Sequence, residues 1–188
     1  AAAEYARRVV AQFMAYWRAY GHAYENYPPE GKVDHAFPYV GGWGGREIRY
    51  TWASLLLCCG LEECFAPEVR QPGVRFGNPY MEVSTWDGFT YRGQRYAAAA
   101  GPARTRVRCE AWEFLAEPGL AVRGFAADAE GVRFTAAPRA ETRVRLRAAL
   151  TGSVTATRNG APLPVTRDGD GLMFSLPAGE AAVALLPC

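Results

Sequence analysis

From Pro72 onward the chain alternates apolar and polar side chains in short stretches, among them "QRYAAAA", "TRVRCE", "LAVRGFAAD", "GVRFTAA", "TRVRLRAAL", "SVTATRNG", "LMFSLPAG" and "AAVALL". Turn signals, "RGQ", "AEG", "RNG", "DGDG" and "PAG", fall between them. A strand turns successive side chains to opposite faces, so this alternation buries one face of a sheet and leaves the other polar. Many short strands at regular spacing predict an antiparallel β-sandwich over 73–188. The stretch from Pro67 to Gly73 is both a Pro/Gly linker and a change of period, and reads as a domain boundary.

Upstream of that boundary the period is helical. Tyr5, Val9, Phe13, Met14, Trp17 and Tyr20 share one face over residues 2–20, and Gly21 is placed to end the helix. A long loop from His22 to Arg49 carries Tyr24, Tyr27, Phe37, Tyr39 and Trp43, more rings than a disordered linker keeps. Residues 50–65, "YTWASLLLCCGLEECF", read as a second helix with almost no polar face in its first turns. A helix apolar all round belongs among other helices, and this chain offers one other. The chain also opens "AAAEY", without an initiating methionine. Both features lead us to expect that residues 1–70 are the end of a larger helical domain whose N-terminal part is missing. The expected fold class is α+β, helices followed by a sandwich.

At 188 residues and 49% hydrophobic, the chain has material for one good core or two small ones. Its formal net charge of +2 is too small to argue for nucleic acid. The arginines of "TRVRCE" and "TRVRLR" alternate with apolar residues, which reads as a solvated sheet face rather than a phosphate-binding stripe. The five cysteines include the adjacent pair Cys58 and Cys59 and no C-x-x-C spacing, so buried thiols in a reducing compartment are expected. His22 and His35 match no metal-ligand or triad spacing, and no metal or cofactor is expected. No stretch reaches the length of a membrane span and no signal peptide is visible, so no membrane partner and a cytoplasmic location are expected.

The densest chemistry lies in "HAYENYPPEGK", residues 22–32, where Glu25 stands among Tyr24, Asn26 and Tyr27. A loop carboxylate flanked by rings suits sugar chemistry, because aromatic faces stack on pyranose rings and a carboxylate activates water. The alternative is a turn in which Glu25 accepts from a backbone amide and the tyrosines fill a core edge; residue types alone favour it. Trp43 in "GGWGG" reads evenly as a ligand-facing indole or as a hinge ring packed on a helix. Trp86, Tyr91, Tyr96 and Trp112 are candidate sugar-binding rings or, on the reading we favour, core rings of the sandwich.

The order of these features, "YENY", the turn "PPEG", the entry "YTW", the apolar "ASLLL" and a β-region, resembles the C-terminal end of inverting glycoside hydrolases with an (α/α)6 barrel. The group in question includes trehalases, mannosylglycerate hydrolases and processing α-glucosidases. The match covers residues 1–66; it departs from the family pattern at Pro28 and in the long connection "KVDHAFPYVGGWGGREIR". The resemblance implies a two-helix remnant of such a barrel over 1–70, followed by the β-sandwich. It implies Glu25 as the general base, with Tyr24, Asn26, Tyr27 and Trp43 shaping a carbohydrate subsite. It also implies that the general acid is an aspartate upstream of this chain, so that the isolated chain is inactive. The alternative is a non-catalytic carbohydrate-binding or structural β-sandwich module.

Overall fold

The computed structural model describes residues 64–68, 73–77, 84–150 and 152–188, and the helical positions 8, 11, 14, 15 and 18. The chain divides into two compact units, Ala1–Gly60 and Leu61–Cys188. Of the first unit, Arg8, Ala11 and Arg18 are exposed helical positions, and Met14 and Ala15 are half-buried ones.

The described residues of the second unit form fourteen strands. In chain order these are β1 (Phe65–Pro67), β2 (Val74–Phe76), β3 (Ser84–Tyr91), β4 (Gln94–Ala100), β5 (Thr105–Arg108), β6 (Trp112–Glu117) and β7 (Val122–Asp128). They continue as β8 (Gly131–Ala136), β9 (Thr142–Ala148), β10 (Val154–Arg158), β11 (Ala161–Pro162), β12 (Thr166–Asp168), β13 (Gly171–Leu176) and β14 (Ala181–Pro187). One sheet runs β1-β2-β7-β8-β14-β10-β11 and the other β12-β13-β9-β6-β5-β4-β3. Every pairing is antiparallel.

Alternation decides which face goes inward. In β9, Val144 and Leu146 are buried while Arg143 and Arg145 are exposed; in β5, Thr105 and Val107 are buried while Arg106 and Arg108 are exposed. Tight hairpins hold the register. Asn159 and Gly160 join β10 to β11 with φ of 51° and 79°. Two successive left-handed residues make the turn whose twist matches the flanking strands, which is why Asn-Gly stands there.

Aromatic rings join the two sheets. Phe76 of β2 lies 5.1 Å from Phe114 of β6 and 5.3 Å from Phe125 of β7. Trp112 lies 4.5 Å from Phe125, and Phe114 lies 5.7 Å from Phe134 of β8. Toward the β1/β3 edge, Phe65 sits 4.8 Å from Phe89 and 4.9 Å from Tyr96. Burying a ring of this size contributes about 1.5–3 kcal/mol by area alone.

A second device secures the crossing from β6 to β7. Thr105, fully buried, accepts from the Leu120 amide at 3.0 Å and donates to the Leu120 carbonyl at 2.9 Å through one hydroxyl. Gly77 lies against this seam. A Cβ there would collide with the Leu120 carbonyl oxygen and sit 2.8 Å from the Thr105 methyl, and its φ of 80° also favours glycine.

The expected α+β class, with a two-helix remnant of an (α/α)6 barrel, is overturned by this architecture. The described residues are nearly all β, in two antiparallel sheets, and helical backbone among them is confined to positions 8, 11, 14, 15, 18 and 64. The apolar run read as a helix to residue 65 ends differently. Phe65 is a strand residue paired with Phe76, and its ring is only 3% exposed between the sheets. A short apolar run does not by itself distinguish helix from strand, and here inter-sheet burial decides. The rest of the stretch read as the second helix, residues 50–63, lies outside the described residues.

The sheets therefore begin before the Pro67–Gly73 linker. A chain spanning 61–188 is expected to melt cooperatively, whereas one starting at residue 73 loses β1 and is expected to be less stable by about 3 kcal/mol or more, a Phe-to-Ala-sized loss, in urea denaturation. Within the full unit, Phe114→Ala is expected to cost about 3–5 kcal/mol. Thr105→Val, which keeps the shape and strands both Leu120 backbone groups, is expected to cost about 1–3 kcal/mol by the same measurement.

Candidate functional site

The residues singled out as a site, Glu25 with Tyr24, Asn26, Tyr27 and Trp43, lie outside the described residues. The geometry described below is that of the sandwich.

Its four candidate sugar-binding rings separate into two groups. Tyr96 and Trp112 are 7% and 5% exposed, with ring centres 5.8 Å apart, and both belong to the inter-sheet core. Burial pushes the Tyr96 phenol above its ordinary range, and the neighbouring Cys109 and Tyr91 add to this while Arg92 opposes it. The phenol is therefore a neutral donor, directed at Gln94 Oε1 at 3.5 Å. Trp86 and Tyr91 are half-buried on the edge strand β3. Trp86 stacks on Phe89 at 4.3 Å, and the Arg92 guanidinium lies 5.4 Å from the Tyr91 ring centre. Of these four, Trp86 and Tyr91 have ring surface to offer, beside a cation at the tip of the β3–β4 hairpin.

The outer face of the sheet that contains β9 carries a guanidinium–carboxylate lattice. Glu113 on β6 is its hub: one oxygen accepts from Arg106 Nε at 2.7 Å, and the other lies 3.8 Å from Arg147. Arg147 continues to Asp170 at 3.7 Å, and Arg145 reaches Asp168 at 3.4 Å. Register explains the neighbours, since Glu113 stands opposite Arg108 on β5 and Arg147 on β9. A cleft of about 270 Å³ opens there, with Leu115 in its lining. Its acids, Glu113 and Asp170, both face Arg147. The lattice is a solvated face, worth about 0–1 kcal/mol per exposed pair.

The three described thiols divide by burial, and Cys188 corrects the expectation of buried thiols; Cys58 and Cys59 lie outside the described residues. Burial pushes Cys64 up to about 11 and raises Cys109, although backbone hydrogen bonds at Trp112 and Ala111 partly offset the latter. Cys188 is exposed; hydrogen bonds from the Thr155 and Ser153 side chains hold its thiol below the ordinary value, with its sulfur 3.0 Å from Thr155 Oγ1. Among the described residues no three His, Cys, Asp or Glu side chains are grouped to hold a metal ion, and no helix is long and apolar enough to cross a membrane.

Comparison with protein-family models, with curated proteins and with solved structures gives no match for this chain.

The thiolate is the reactive form, so a lowered pKa raises reactivity near neutrality and a raised one suppresses it. Alkylation of the native protein followed by peptide mapping is expected to modify Cys188 before Cys109 and Cys64. The Cys188 rate should rise at lower pH than that of an ordinary thiol, whereas Cys64 should stay slow until pH approaches 11 or the protein unfolds. A Thr155→Val variant should move the Cys188 profile toward higher pH.

Proposed function

We propose that residues 61–188 are a structural β-module of a glycoside hydrolase, and that Glu25 is the general base by which that enzyme hydrolyses α-glycosides with inversion. The observation that supports the structural role is the placement of the rings. Tyr96 and Trp112, which a sugar platform would present to solvent, are used instead to join the two sheets through Phe65 and Phe125. The support for Glu25 is chemical and sequential: "YENYPPEG" supplies a carboxylate, an amide and two phenols in one short stretch, and "YTWAS" follows it in the order of the family it resembles, across a longer connection.

In this mechanism Glu25 takes a proton from a water molecule as the water attacks the anomeric carbon. A second carboxylic acid on the opposite side of the sugar protonates the departing glycosidic oxygen. The two carboxyl groups of an inverting pair stand about 6.5–9.5 Å apart, which leaves room for the water. Tyr24, Asn26, Tyr27 and Trp43 are the proposed residues of the sugar subsite.

Glu25→Gln removes the base and keeps the shape. In the full-length protein, assayed on trehalose, mannosylglycerate, glucosylglycerate and malto-oligosaccharides, it is expected to lower kcat by about 10²–10⁴-fold. The first-formed sugar should carry the inverted anomeric configuration by NMR. Wild-type turnover by the variant overturns the assignment, and so does turnover by the 188-residue chain alone, which would then hold a complete site.

The edge rings favour a second reading, in which the module itself binds carbohydrate through Trp86 and Tyr91. Residues 61–188 alone should pass unretarded through sugar-affinity columns if the structural role holds. Retention that is lost in Trp86→Ala and Tyr91→Ala would replace the structural role with a binding one.

A further inference from the structure

We draw no further inference here: the strongest candidate, the open groove of about 440 Å³ on the β7–β8–β14 sheet, lined by alanines together with Arg123, Thr135 and Glu180, carries nothing because nothing in the structure shows what covers it.

Discussion

The contact between Phe76 and the rings of Phe114 and Phe125 is the constraint on which the rest of the sandwich depends. A sheet with one apolar face must bury it, and two such faces can bury each other if their side chains interdigitate. Here large rings do this, and they form a continuous series from Trp86 and Phe89 at one edge, through Phe65, Tyr96 and Trp112, to Phe134. Because Tyr96, Trp112, Phe114 and Phe134 are buried within this series, none of them is available to a ligand without loosening its neighbours. The same contacts that hold the fold together therefore argue against sugar binding in its centre.

The two faces of the sheet that contains β9 show how one alternating pattern serves opposite ends. Inward residues of β9 and β6, Val144, Leu146, Phe114 and Ala116, have no exposed surface. Outward residues of the same strands, Arg145, Arg147 and Glu113, form the charged lattice. A lattice of mixed sign keeps a long sheet face soluble without creating a strong field, which agrees with the small net charge of +2.

The sandwich is legible in the sequence wherever a strand is long enough to display its period. "TRVRLR" is β9 with its arginines outside, and "RNG" is the left-handed turn at Asn159 and Gly160. The shortest strands are harder to see. β1 and β2 have only three residues each, too few to show a period, and β1 continues the apolar run before it. β6, "WEFLAE", does alternate, and that alternation is the available signal for Glu113. Even then, the lattice depends on which residue stands opposite Glu113 on β5 and β9, and register between distant strands is not written locally. The helical expectation fails for the same reason, because Phe65 is placed by rings far along the chain. Glu25 and its neighbours stand out by residue type and family resemblance, signals that do not depend on the sandwich.

The position of β14 has a consequence for how the chain acquires its shape. This strand, Ala181–Pro187, lies between β8 and β10, pairing Leu185 with Val132 on one side and with Ala156 on the other. Until it arrives, the sheet it completes exists as two unconnected parts, however early their residues leave the ribosome. The module therefore closes only once its last strand has been made, and a nick that releases this strand would divide a sheet through its middle rather than trim its border.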